Sequence, residues 1–254
     1  MNDSPTQKRP RGTRWCSIGI VAAAIGAVAV VVCLAGVRVG LIGAQTAFMA
    51  FAIGLLAFAV GLVSTGVGLL LSKGSAGAAS KQRAWTALAA AVLFFAASFS
   101  QMPNMSGTAP INDISTDVRN PPAFVAIVPF REGAPVPPEY AGQETARQQA
   151  EAYPDIQTLM IERPTDEVLN AAEKVAQDLG WEIVAIDRIG GRIEATDTTF
   201  WFRFKDDVVI RLTPRGDETY VDIRSKSRVG RGDMGANASR IRRFLERLSE
   251  ITST

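Results

Sequence analysis

Between Trp15 and Val37 the chain carries no charged side chain, and this run is long enough to supply the ~20 apolar residues that cross a bilayer. A second run, Ala44 to Leu71, exceeds that length and is expected to tilt. A third, Ala84 to Ser100, lies near the short limit of about 17 residues. Together they assign residues 15–100 to a three-helix membrane anchor with spans at 15–37, 44–71 and 84–100, behind a basic tail at 1–14. A basic tail also precedes a signal peptide, but the apolar core here exceeds the usual ~7 to 15 residues, so a retained anchor is expected.

The flanking charges orient the spans. Lys8, Arg9, Arg11 and Arg14 precede the first, Arg38 alone follows it, and Lys73, Lys81 and Arg83 precede the third. Beyond the third span no cation occurs until Arg119. Positive flanks remain in the cytoplasm, and Trp15 and Trp85 stand at the same proposed interface. The expected arrangement is a multi-pass protein of the bacterial inner membrane, with its N-terminus cytoplasmic and its C-terminal domain periplasmic. Glycines such as Gly36, Gly40, Gly61 and Gly68 let spans approach closely, for packing within the anchor or against another membrane protein. No ionisable side chain lies inside a span, which argues against an ion or proton path.

Composition then removes several chemistries. Eight of the 27 Lys and Arg residues precede residue 100, against one of the 25 acids, so the remainder is net acidic and no nucleic acid partner is expected. The chain has no histidine, which excludes a Ser-His-Asp triad and any His-ligated metal. Its two cysteines, Cys16 and Cys33, fall on one predicted helix roughly 25 Å apart, too far for a disulfide, and read as small apolar residues. Neither a cofactor nor a metal is expected.

The soluble part opens with a proline-rich stretch, 101–154, expected to be extended, with an apolar patch at 124–128 that packs on the domain. Asn112 to Asp117 is rich in turn-forming side chains. From 155 to 254 an α+β domain is predicted. Strands are expected at 156–161, 181–188, 192–196, 200–205, 208–213 and 220–229, with turns at Gly190-Gly191 and Asp206-Asp207 and a bulge near Asp197. A helix opens at Pro164 with Val168, Ala172, Val175 and Leu179 on one face. A last helix is lined by Met234, Ala238, Ile241, Leu245 and Leu248. The order β-α-β-β-β-β-β-α implies a curved antiparallel sheet with both helices on one face.

Several runs resemble a known family: Asp113-Ile114-Ser115-Thr116-Asp117, Pro121-Pro122-Ala123-Phe124, Gly180-Trp181-Glu182, Arg192-Ile193-Glu194-Ala195, Asp206-Asp207-Val208-Val209-Ile210-Arg211 and Arg224-Ser225-Lys226-Ser227-Arg228-Val229-Gly230. They are similar to domain-of-unknown-function family fourteen ninety-nine over about 111–248. The resemblance implies these domain limits and no activity.

The last of those runs is the candidate site. Period-two geometry puts Asp222, Arg224, Lys226 and Arg228 on one strand face and Ser225 and Ser227 on the other. One use of this row is an anion or lipid-headgroup site, completed by the glycines after it and by Asp233 and Asn237 at the start of the last helix. The alternative is a solvated ladder of cross-strand ion pairs with Arg203, Arg211, Glu194 and Asp206, and with Asp233 as helix cap. Asp197, Asp206 and Asp207 are the carboxylates a hydrolase would draw on, although adjacent aspartates usually mark a turn. Arg240, Arg242, Arg243 and Arg247 are expected on the solvated side of the last helix. The leading expectation is a non-enzymatic envelope protein that binds an anionic small molecule, a lipid or a membrane-protein partner. The alternatives are an assembly scaffold and a carboxylate hydrolase.

Overall fold

The computed structural model describes residues 11–71, 82, 85, 86, 89, 92 and 108–253. The chain divides into two units, Met1–Met102 and Pro103–Thr254.

The first unit is built on two long helices, α1 (Arg11–Arg38) and α2 (Ala44–Leu71). Within them Ser17–Arg38 and Ala44–Gly68 are long and apolar enough to cross a membrane. The expected third span, 84–100, lies for the most part outside the described residues. Glycines let α1 and α2 meet backbone to backbone: a Cβ on Gly61 would lie 2.7 Å from Gly19 O and from Ala23 N, and one on Gly26 would lie 2.7 Å from Gly54 O. Buried Cys33 and Ala47 continue the same seven-residue series on the two helices. Aliphatic side chains such as Ile25, Val28, Ile53 and Leu56 point outward, as a lipid-facing surface requires.

The second unit is an α+β domain. Its elements are β1 (Asp113–Ser115), a 3-10 helix (Val128–Arg131), α3 (Gln143–Ala152), β2 (Leu159–Ile161), α4 (Thr165–Asp178), β3 (Glu182–Asp187), β4 (Arg192–Thr198), β5 (Lys205–Arg215), β6 (Glu218–Ser227) and α5 (Ala236–Thr252). The strands form one antiparallel sheet in the order β1-β6-β5-β4-β3, and β2 shares the β6 edge with β1. Val168, Ala172 and Val175 of α4 and Ala238, Ile241, Phe244 and Leu248 of α5 share one core with Ile193, Ala195, Val208, Ile210, Val221 and Ile223. Both helices therefore lie on one sheet face. Met234 stays outside this core, 41% exposed, because the chain has not yet entered α5 there.

Four expectations fail in informative ways. The predicted strand at 200–205 is a loop, and Asp206-Asp207 is not a turn but part of β5, whose eleven residues start at Lys205. With Phe200, Phe202 and Phe204 outside the sheet, β4 keeps one phase, and the register irregularity falls instead between Ile183 and Ala185. The proline-rich stretch is not simply extended: it supplies β1, the 3-10 helix and α3. Its residues 116–141 lie over the second sheet face, where Phe124 and Ile127 pack on Val209 and Val184. The sheet is thus covered on both sides.

Candidate functional site

β6 lies inside the sheet, hydrogen-bonded to β5 along its length and to β1 and β2 on the other edge, so both of its faces must be satisfied within the protein. Its alternation sends Asp222, Arg224 and Lys226 to the face under residues 116–141 and Ser225 and Ser227 to the helix face. Arg224 and Lys226, expected in solvent, are 2% and 1% exposed. The residues expected to form a solvated ladder are therefore buried polar groups. They can persist only where every charge meets a counter-charge or a hydrogen-bonding group.

On the covered face Asp113 is the first hub. Its carboxylate accepts from Arg224 Nε at 2.8 Å and Nη2 at 2.9 Å and from the Ala141 N–H at 3.1 Å, with Lys226 Nζ 3.1 Å away. Arg224 also donates to the carbonyls of Pro122 and Pro138, at 3.2 and 3.0 Å. Its guanidinium lies 4.8 Å from the Phe124 ring centre and 5.3 Å from that of Tyr140. Lys226 Nζ donates to the Glu139 carbonyl.

Asp207 is the second hub, taking Arg131 Nη1 at 2.8 Å, Arg228 Nε and Nη2 at 2.8 and 2.7 Å, and Thr196 Oγ1 at 2.8 Å. Arg131 continues to the Ser227 carbonyl at 2.8 Å and so fastens the 3-10 helix to the end of β6. Glu194 is the third, accepting the backbone N–H groups of Val125, Ala126 and Ile127 at 3.0 Å each where the chain enters that helix. Each hub joins the sheet to the segment above it.

Burial acts on these groups in predictable directions. It pushes the Lys226 ammonium down, against the pull of Asp113 and with the repulsion of Arg224 and Arg131. It lowers Arg131 against the attraction of Asp207. Tyr140 is pushed up to about 12, first by burial and then by Asp113, and its hydroxyl has no hydrogen-bond partner.

The helix face carries a separate network. Ser225 Oγ donates to Asn237 Oδ1 at 2.6 Å, and Asn237 Nδ2 donates to Ser227 Oγ at 3.0 Å. Arg240, expected on the solvated side of the last helix, is instead 3% exposed and reaches Asp197 at 2.8 Å, Asp206 at 2.7 Å and Ser225 Oγ at 3.1 Å. Burial pulls its guanidinium down, but Asp206 and Asp197 outweigh it and leave it raised. Asp233, expected as the N-cap of the last helix, instead lies two residues before it: the cap is Gly235, in the left-handed region at φ 80, and Asp233 accepts the N–H groups of Gly235 at 2.8 Å and Asn237 at 2.7 Å while burial raises its carboxyl. The two inward serines, the least explained feature of the sequence, thus close a polar network between β6 and α5.

The predicted site residues therefore divide between two networks. Arg224, Lys226 and Arg228 share one sheet face with Asp113, Asp207 and Arg131, while Ser225, Ser227, Asp233 and Asn237 share the other with Arg240, Asp197 and Asp206. The adjacent Asp206 and Asp207 are separated by the sheet, one carboxylate to each network, so they do not form an acid-base pair. None of the predicted residues lines the depression of about 390 Å³ at the β3–β4 turn, which is walled by Thr165, Asp166, Leu169, Arg188, Gly190 and Leu212 among others. Asp113 and Glu194 as hubs, Arg131 as the link from the 3-10 helix to Asp207, and Arg240 as a bridge escaped sequence reasoning. Glu194 occupies the strand face opposite Ile193 and Ala195, which the alternation marks as polar, and nothing in that pattern tells that residues 116–141 cover it.

No curated protein matches the chain. A family model described as protein of unknown function (DUF1499) matches residues 113–248. The matched span opens on Asp113, the hub that fastens the proline-rich cover to β6, and closes on Leu248 in the core of α5. It takes in both polar networks and more than half of the sequence, and the chain belongs to the DUF1499 family of proteins of unknown function.

Proposed function

We propose that this protein is a multi-pass inner-membrane protein whose α+β domain lies outside the cytoplasm and works there by binding a partner through its surface. The observation that carries this reading is where the polar chemistry of the domain is spent. Arg224, Lys226, Arg131, Asp113, Asp207, Asp206 and Arg240 are each at most 5% exposed, and each is engaged within the fold. Groups held in this way build a rigid module, and recognition falls to what the module presents outside. An anion approaching Arg224 or Lys226 would first have to displace Pro122, Pro138 and Glu139. In the helical hairpin Gly19, Gly26, Gly54 and Gly61 already serve α1–α2 packing, which leaves the scaffold alternative fewer small-residue faces for a further helix.

Placement outside the cytoplasm rests on the cation asymmetry of the flanks. A periplasm-dependent phosphatase fused after Thr254 is expected to be active and a fluorescent protein that matures only in the cytoplasm to stay dark. The reverse pattern would overturn the orientation.

A further inference from the structure

One end of the domain differs from the rest of its surface. At the end of the β4–β5 pair the chain makes the loop Thr199–Phe204, closed by the Thr199 N–H to the Phe204 carbonyl at 2.9 Å, the Arg203 N–H to the Thr199 carbonyl at 3.1 Å and the Phe204 N–H to Thr199 Oγ1 at 2.9 Å. Arg203 is held at φ 55, a left-handed conformation that residues other than glycine adopt at a cost. This constrained loop presents Phe200 and Trp201, 67% and 47% exposed and packed edge to face, beside the exposed cations Arg203 and Lys205.

Neighbouring segments bring matching side chains to the same end. The Arg228 N–H bonds the Lys205 carbonyl at 3.1 Å, and Arg228 Nη1 bonds the Phe130 carbonyl at 3.1 Å, so the 62% exposed Phe130 belongs there too. Arg231 follows, exposed. The aspartates nearby point inward: Asp206 and Asp197 are tied to Arg240, and Asp207 to Arg131 and Arg228. Glu132 stands against this cationic set as an exposed acid.

The chain also enters the domain at this end. The Asn112 carbonyl accepts the Ser227 N–H at 3.0 Å, and a Cβ on Gly232 would lie 3.2 Å from Pro110. Seven residues, 101–107, separate Thr108 from the end of the third apolar run, and extended chain of that length spans at most about 25 Å.

We propose that this end is a lipid-docking surface: Phe200, Trp201 and Phe130 enter the interfacial region of the bilayer while Arg203, Lys205 and Arg231 contact anionic headgroups. The pairing of amphipathic rings with cations is what the interface selects, and charge complementarity favours an anionic leaflet. The inference rests on the proposed function in one respect, that the third apolar run tethers the domain to a membrane.

The test uses the full chain with Cys16 and Cys33 replaced by Ala and one new cysteine carrying an environment-sensitive fluorophore. The chain is reconstituted into vesicles of equal parts phosphatidylglycerol and phosphatidylcholine containing a headgroup-proximal spin-labelled lipid. The label is placed at Phe200→Cys, at Ile189→Cys in the fully exposed β3–β4 turn at the opposite end of the sheet, or at Asn104→Cys in the tether. The expected result is a blue shift and strong quenching at positions 200 and 104 and neither at 189. The effect at 200 should weaken in Arg203→Glu/Lys205→Glu and in phosphatidylcholine alone. Quenching at 104 without quenching at 200 overturns the lipid surface and leaves the tether standing, whereas loss at both positions overturns the tether as well. A position-200 label that is unquenched but shielded by another protein in native membranes assigns the end to protein docking and also overturns the proposal. Hydrogen exchange of the unsubstituted chain guards against a labelling artefact: the amides of 200–204 should slow in anionic vesicles relative to neutral ones, and equal rates would refute the proposal.

Discussion

Asp113→Asn is the sharpest perturbation of this fold, because it removes one charge and almost no volume. The carboxylate is fully buried and receives two bonds from Arg224, an ion pair from Lys226 and the Ala141 N–H. After the substitution Arg224 retains the Pro122 and Pro138 carbonyls and two aromatic faces, and Lys226 retains the Glu139 carbonyl. Removing one partner of a buried ion pair costs about 3–5 kcal/mol, since it leaves an uncompensated charge in a medium that solvates it poorly. Here two cations lose one counter-charge, so the upper part of that range is expected. Against a typical stability of about 5–15 kcal/mol that is a large fraction. At roughly 2–4 °C per kcal/mol for a domain of this size, a loss of about 4 kcal/mol lowers Tm by roughly 8–16 °C. The assay is thermal and urea unfolding of the full chain in nanodiscs, followed by near-ultraviolet circular dichroism, with amide exchange at Ala141 reporting on the cover. Glu144→Gln, which disturbs only exposed contacts with Arg147 and Gln148 on α3, should leave the melt unchanged. Replacing the whole group, as Asp113→Leu/Arg224→Met/Lys226→Met, should recover most of the loss, because burying no charge avoids the desolvation penalty. A loss from Asp113→Asn of less than about 1 kcal/mol would refute the claim that buried pairing holds the cover to the sheet.

Two further perturbations probe the cover and the hairpin. Tyr140 is pushed up to about 12 from an ordinary value of 10.0, so between these values the folded chain holds a proton the unfolded chain has released, and stability falls as pH rises. Tyr140→Phe should flatten that alkaline decline and be neutral or stabilising near neutral pH, since it also removes an unpartnered buried hydroxyl. Urea melts from neutral to alkaline pH check this, with the parent as reference so that the opposite slope from Lys226, whose value is lowered, cancels. An unchanged slope would show that Tyr140 does not titrate in this window. In the hairpin, Gly61→Ala sets a methyl 2.7 Å from the backbone of α1, whereas Gly66→Ala meets nothing within 4 Å. Distances between spin labels at the outward-facing Val21 and Val63 should lengthen and broaden in the first variant and stay at the parent value in the second.

The helix-side half of the domain was legible because its patterns are periodic. Val168, Ala172 and Val175 on α4 and Ala238, Ile241 and Leu248 on α5 recur at helical spacing, and all are buried. The error in β5 has a local cause. Phe200, Phe202 and Phe204 alternate as a strand would, and two adjacent aspartates resemble a turn, so the boundary shifted by one element. What reversed the assignment is tertiary: Asp206 and Asp207 are tolerated in a strand because Arg240 waits on one side and Arg131 and Arg228 on the other. The candidate site was legible as a set of residues but not as an environment. Period two correctly separated Arg224 and Lys226 from Ser225 and Ser227, yet nothing in that period says whether a polar face is open to water or covered.

That ambiguity is resolved by the partners, and it bears on where the domain begins. A strand that carries cations on one face and hydroxyls on the other, between apolar neighbours such as Val221 and Ile223, fits a two-layer domain only if one face is wet. A limit at residue 155 would enforce that arrangement, leaving Arg224, Lys226, Glu194 and Val209 facing solvent. In the structure all four are at most 2% exposed, and the groups that cover them come from residues 113–141. The family match begins at the same place, on Asp113. The cover is joined to the sheet by ion pairs and carbonyl contacts with a small apolar patch at Phe124 and Ile127, so its attachment is more sensitive to charge than the helix side, whose core is built from aliphatic side chains. The proline-rich segment is therefore the third layer of the domain, and its composition suits that position. Pro122 and Pro138, in irregular chain outside any strand or helix, offer Arg224 carbonyl acceptors that no strand or helix has already engaged.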